Sequence, residues 1–202
     1  MKKIILASLC FLMQAAFSQS DSDILQLNLN KMHSFSANFR QIVKDRTRDL
    51  SNSTGVMALQ RPGLFRWHTK EPMEQIVIAD GKRFWVYDVE LEQVTVKKQD
   101  QSLGGTAALF LSGYDNSLTD DFEVRAKREG QQAIFDLKAK SDKANFQRLR
   151  LVFQKDVLIS LEMDDQLGQH TIVNLSQTKL NPVIARKRFQ FTPPKGIDVV
   201  HQ

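Results

Sequence analysis

QIVIADGKRFWVYDVELEQVTV, residues 75–96, contains three short runs rich in β-branched and aromatic residues, separated by turn chemistry. Gln75–Ala79 runs into Asp80-Gly81, a dipeptide suited to the positive φ angles of a tight hairpin, and Arg83–Asp88 follows at once. Gln93–Lys98 makes a third run. Strands this short, reversed this tightly, predict an antiparallel meander.

The same grammar extends in both directions. Phe35, Ala37, Phe39, Gln41 and Val43 alternate with Ser36, Asn38, Arg40 and Ile42, the period of a half-buried strand. Val56–Gln60 and Leu64–Thr69 are separated by Arg61-Pro62-Gly63, and Glu71-Pro72 ends the second run. Downstream come Phe122–Lys127, Ala133–Lys138, Phe146–Gln154, Val157–Asp164, His170–Gln177 and Arg188–Phe191, the last before Pro193-Pro194. The regular spacing predicts one antiparallel sheet curling toward a barrel. Ahead of it, Asp21–Asp23 can cap a short amphipathic helix carrying Ile24, Leu27 and Met32.

Alternation also sorts the faces. Leu149, Leu151 and Phe153 share one side of their strand, with Arg148 and Arg150 on the other. Val157, Ile159, Leu161 and Met163 are likewise opposed by Ser160, Glu162 and Asp164. An apolar concave face must be covered by something. Residues 101–116, QSLGGTAALFLSGYDN, lack this period and place an apolar run between glycines, as a short helix would. Such a segment, about 104–113, either plugs the sheet or opens and closes over it.

The N-terminus has a separate logic. Lys2 and Lys3 precede an apolar run from Ile4 to Phe17, too short to span a bilayer, and Ala16-Phe17-Ser18 offers small residues for cleavage. Residues 1–18 are expected to be a Sec-type signal peptide, with 19–202 one exported domain. Cys10, the sole cysteine, follows Leu9 and reads as part of the apolar run rather than as a lipid-attachment site. The mature chain then has no thiol and depends on packing alone. It would carry 26 basic and 23 acidic residues, a net charge of +3, too mild and scattered to suggest nucleic acid.

Catalytic signatures are missing from the sequence. His33, His68 and His170 fall in separate segments without metal-ligand spacing, and no nucleophile elbow or phosphate loop occurs. Asp120-Asp121 and Asp164-Asp165 are adjacent pairs whose side chains, on a strand, would point to opposite faces. The expectation is a non-enzymatic container for apolar material, with no cofactor or metal. Burying an acyl chain gains about 0.8 kcal/mol per CH₂, so a modest apolar cavity would suffice.

Several segments together resemble the LolA family of periplasmic lipoprotein carriers. They are SFSANFRQ, Gly55 followed by RPGLFRW at 61–67, VIADGKRFWVYDVELEQVTV at 77–96, LFL at 109–111, LEMDDQLGQHT at 161–171 and FQFTPPKGIDVV at 189–200. The resemblance implies a mainly β fold with short α segments. A single curved antiparallel sheet would form an incomplete, half-open β-barrel under a lid of short helices. It implies a soluble monomer that receives triacylated lipoproteins from an inner-membrane ABC-type release complex. The carrier would shield their acyl chains and pass them to an outer-membrane receptor lipoprotein, leaving ATP use to the transporter. A lipid-binding or sensing module of the same fold is the alternative.

The resemblance also implies residue roles. Arg61 would latch the lid by hydrogen bonds to backbone carbonyls around Ala107, Ala108, Leu109, Phe110 and Leu111. Phe65 would line the acyl-chain cavity together with Phe35, Phe39, Met57, Leu59, Trp67, Ile76, Ile78, Phe84, Val86, Leu149, Leu151 and Met163. The choice of concave face along each strand depends on register, since a one-residue shift inverts every side chain.

Overall fold

The computed structural model describes residues 19–45, 47–99, 111–112, 121–141 and 146–202. The expected signal peptide lies outside these residues, as does most of segment 104–113, of which Leu111 and Ser112 are described.

Helix α1 spans Asp21–Asn30. Its N-cap is Ser20, one residue before the expected aspartates: Ser20 Oγ accepts from the Asp23 N–H, while Asp23 Oδ2 accepts from the Ser20 N–H, both at 3.2 Å. This reciprocal box satisfies two otherwise orphaned donors. The buried face carries Leu25 and Leu29, one helical turn apart, with Met32 just beyond the helix. Leu27, expected on that face, is 49% exposed, because the i, i+4 pair rather than the 24–27 spacing sets the contact stripe.

Eleven antiparallel strands follow: β1 (Ser34–Lys44), β2 (Asp49–Gln60), β3 (Leu64–Glu71), β4 (Gln75–Asp80), β5 (Arg83–Asp88), β6 (Gln93–Lys98), β7 (Phe122–Glu129), β8 (Gln132–Ala139), β9 (Phe146–Gln154), β10 (Val157–Asp165) and β11 (His170–Leu180). Strand β12 (Asp198–His201) closes the list. All twelve form one sheet in the order β12-β6-β5-β4-β3-β2-β1-β11-β10-β9-β8-β7. Two meanders, β1–β6 and β7–β11, therefore meet where β1 pairs with β11. Among the described residues strands β12 and β7 are the two edges, so the sheet is an open one and not a closed barrel.

The C-terminal segment departs from the sequence reading. Arg188–Phe191, expected to be a strand, falls in and after a short 3-10 helix at Arg186–Phe189, where the Arg188 N–H bonds the Ala185 carbonyl at 2.9 Å. The strand lies later, at β12, running parallel to β6 from Asp198 opposite Gln93 to His201 opposite Val96. Side-chain burial drives this arrangement. Phe189 is buried against Ala58 and Leu64, and the Phe191 ring sits 5.6 Å from that of Trp85 and 5.7 Å from that of Tyr87. The outer face of β3–β6 is apolar and the chain end covers it.

Candidate functional site

The larger apolar cluster occupies the opposite face of the sheet. It draws on both meanders and on α1, joining Phe35, Phe39, Met57, Leu59, Phe65 and Trp67 to Phe135, Leu149, Leu151, Phe153, Leu161 and Val173. Leu25 and Leu29 pack into it from α1, and Met32 from just beyond the helix. Leu111 joins the same cluster and is fully buried. Phe84 belongs to it, while Val86 and Met163 pack against it half-buried.

Ile76 and Ile78 do not share this face, which corrects the expected lining. They pack with Trp85, Val94 and Val96 on the outer side, under Phe191 and Val199. The register explains why. Ala79 pairs with Phe84 and Val77 with Val86, so Val77 and Ala79 accompany Phe84 and Val86 inward. Ile78 pairs with Trp85 and Ile76 with Tyr87, outward.

An aromatic group forms the densest part of the inner face. Phe39 stacks on Trp67 with ring centroids 3.7 Å apart, and Phe65 lies 6.2 Å from Trp67. Gly55 makes room for it. A Cβ there would overlap the His68 carbonyl oxygen and lie 2.7 Å from the Phe39 ring. Glycine at 55 is a requirement of space.

Arg61 stands at the β2–β3 turn. Its N–H donates to the His33 carbonyl at 2.8 Å, and its Nε donates to the Leu111 carbonyl at 3.0 Å. Burial lowers the guanidinium pKa from its ordinary value, and among the described residues no carboxylate forms an ion pair with it. A half-buried guanidinium needs hydrogen-bond acceptors, and a backbone carbonyl supplies one. Of the five residues Ala107–Leu111 expected to face Arg61, only Leu111 is described.

A second bond runs alongside. The Gly63 N–H donates to the Ser112 carbonyl at 3.1 Å, and Gln99 Nε2 donates to the Gly63 carbonyl at 2.7 Å. Gln99 Oε1 in turn accepts from the Gly81 N–H at 2.9 Å. Gln99 is 1% exposed, and it ties the β2–β3 turn to the β4–β5 turn. Its position after the Gln93–Lys98 run carries no periodic signal that would single it out in the sequence.

Two of the four histidines are engaged with carboxylates. His68 Nε2 lies 2.7 Å from Glu74 Oε1, and His170 Nδ1 lies 2.6 Å from Asp164 Oδ1. Among the described residues no group of three or more His, Cys, Asp or Glu side chains is arranged to hold a metal ion. No described helix is long and apolar enough to cross a membrane.

Comparison with known proteins agrees with this architecture. A chain from Thermus thermophilus, solved as an uncharacterized conserved protein, superimposes with a TM-score of 0.58 at 14% identity, over 91% of this chain and 100% of its own. An outer-membrane lipoprotein carrier protein of Legionella pneumophila (strain Corby) is 56% identical over the full length of both chains. One from Pseudomonas syringae pv. syringae (strain B728a) is 39% identical, over 100% of this chain and 98% of its own. The family model described as outer membrane lipoprotein carrier protein LolA matches residues 30–192. The chain belongs to the LolA family.

Proposed function

We propose that the protein is a periplasmic lipoprotein carrier, exported by the signal sequence at residues 1–18. It takes lipoproteins from an ABC-type release complex in the inner membrane, holds their acyl chains, and passes them to a receptor lipoprotein at the outer membrane. The observation that carries this reading is the apolar inner face, which is shared by both meanders and continues to the buried Leu111. Family membership and the carrier names of its full-length relatives support it. The carrier performs no chemical step: energy enters through ATP at the transporter, and the carrier exchanges one apolar environment for another.

Arg61 is the latch in this reading. Its hydrogen bond to the Leu111 carbonyl belongs to the closed, empty state, and cargo burial outweighs it in the open state. Phe65 is a wall residue of the acyl-chain cavity. The deciding experiment is depletion of the protein in cells with fractionation of the envelope. Outer-membrane lipoproteins should accumulate in the inner membrane. Their normal arrival at the outer membrane during depletion would remove the carrier role.

A further inference from the structure

Helix α1 does not cover the ends of β7–β9 completely. Between them lies a cavity of about 350 Å³, within the size range of small-molecule sites. Its apolar lining comes from Ile24 and Leu27 of α1 and from Ala126, Ala133, Phe135 and Phe153 of the strands. Ala126 and Ala133 leave the volume unfilled that larger side chains would occupy. The Asp21 carboxylate accepts from the Ala126 N–H at 2.9 Å, which pins the start of α1 to the edge strand. Further along the helix Leu27 stays half-exposed over the gap.

The rim is cationic. Lys31, Lys127, Arg128 and Lys155 surround the cavity, with Asp156 the one carboxylate among its lining residues. Lys31 is engaged with Asp156 at 3.4 Å, and Lys127 with Glu129 at 2.9 Å. Arg128 and Lys155 form no ion pair among the described residues and are exposed. Lys155 also holds a φ of +47° in the β9–β10 turn, where glycine or asparagine would be less strained. An apolar trough ending in two unneutralised cations has the polarity of an anionic detergent-like molecule, reversed.

We propose that this groove binds a single-chain anionic amphiphile, a fatty carboxylate or an anionic lysophospholipid. The chain lies along Leu27, Ala133 and Phe135, and the headgroup meets Arg128 and Lys155. Phe135 and Phe153 also belong to the main apolar cluster, so an occupant would rest against the protein's core. The proposal rests on the carrier reading only in that Phe135 and Phe153 belong to the same apolar face; its own recognition chemistry is the charged headgroup at Arg128 and Lys155.

The test is calorimetric titration of delipidated mature protein with laurate below its aggregation concentration, and with dodecyltrimethylammonium as the cationic counterpart of equal chain length. Laurate should bind with one-to-one stoichiometry and at least tenfold more tightly than the cation, and its affinity should fall as salt is added. The double variant Arg128→Glu/Lys155→Glu, at exposed positions, should lose at least tenfold in laurate affinity, and Leu27→Glu a similar amount. Circular dichroism and the urea midpoint check that each variant is folded. Equal binding of both amphiphiles, or affinities within twofold of wild type in both variants, would overturn the proposal and place the ligand elsewhere. Sedimentation with phosphatidylglycerol vesicles separates the two sources of such a headgroup. Vesicle binding without laurate binding would make the rim a membrane contact and overturn the groove.

Discussion

Arg61 and Leu111, fifty positions apart in the chain, are joined by a 3.0 Å hydrogen bond from guanidinium Nε to carbonyl oxygen. The neighbouring bond from the Gly63 N–H to Ser112 makes the β2–β3 turn a two-point attachment for residues 111 and 112. The backbone bond would survive replacement of the arginine. The side-chain bond would not.

Arg61→Leu should therefore separate folding from delivery. It removes a charge-assisted hydrogen bond worth about 1.5–3 kcal/mol, but also removes the cost of burying a cation. The two offset each other, so the urea midpoint should change little. Lipoprotein should still be captured, while transfer to the proposed receptor should fall at least tenfold. Transfer at the wild-type rate would exclude Arg61 from the cycle.

Phe65→Glu probes the proposed wall of the acyl-chain cavity. Phe65 is fully buried among apolar residues, close to Trp67. A carboxylate there either ionises in an apolar setting or drives the face open. Cargo capture from membranes should drop severely, beyond what Phe65→Leu causes at matched stability. Equal capture by the two variants would show that loss of ring packing, and not charge, governs the site.

Much of the fold is legible in the sequence, and so is the inward face of β4. The strands from Phe35 to Gln177 follow two-residue periodicity and turn chemistry, which act locally. Asp80-Gly81 predicts a two-residue hairpin, and in such a hairpin even-numbered residues face odd-numbered ones, as Ala79 faces Phe84. Placing Ile76 and Ile78 on the same face as Phe84 and Val86 contradicts that turn. The turn itself encodes the register. Strand β12 had no comparable signal, because its parallel pairing with β6 joins Asp198 to Gln93 with no turn between them. Gln99 was illegible for a similar reason: its value lies in bridging Gly63 and Gly81, a relation only the folded chain creates.

The β4–β5 turn gives a pH-dependent prediction. Asp80 Oδ1 accepts from the Lys82 and Arg83 N–H groups at 2.9 and 2.8 Å, and Oδ2 accepts from the Trp85 indole at 3.0 Å. Burial pushes this carboxyl up, but those three donors and the Arg83 charge outweigh it and hold its pKa below the ordinary value. A depressed folded pKa stabilises the protein above the unfolded value, about 3.9, and the contribution disappears as pH falls through the folded one. Asp80→Asn should cost about 1–2 kcal/mol at pH 7. The gap should narrow at pH 3, measured by urea unfolding at both values. A gap of equal size at the two pH values would mean that ionisation of Asp80 contributes nothing.

Gly55 and Gly81 should respond differently to alanine, because they are glycines for different reasons. Gly81 sits at φ +94°, and its nearest neighbour to a new Cβ is the Leu64 side chain at 3.6 Å, ordinary contact. Gly81→Ala therefore suffers only backbone strain, about 1–2 kcal/mol. At Gly55 no such φ is involved, and the obstacle is the backbone carbonyl oxygen of His68, which a Cβ would overlap. No rotamer change clears that contact. Strand β3 would have to move away from β2, loosening the Gly55–Thr69 pairing and displacing Phe39 from Trp67. Gly55→Ala should cost about 3 kcal/mol or more, at or above the upper end of ordinary overpacking. Adding Phe39→Ala relieves the ring contact but leaves the carbonyl, so the double variant should not recover. Urea midpoints decide the matter. Gly55→Ala no worse than Gly81→Ala, or rescue by Phe39→Ala, would show that β2 and β3 adjust more freely than their backbone contact implies.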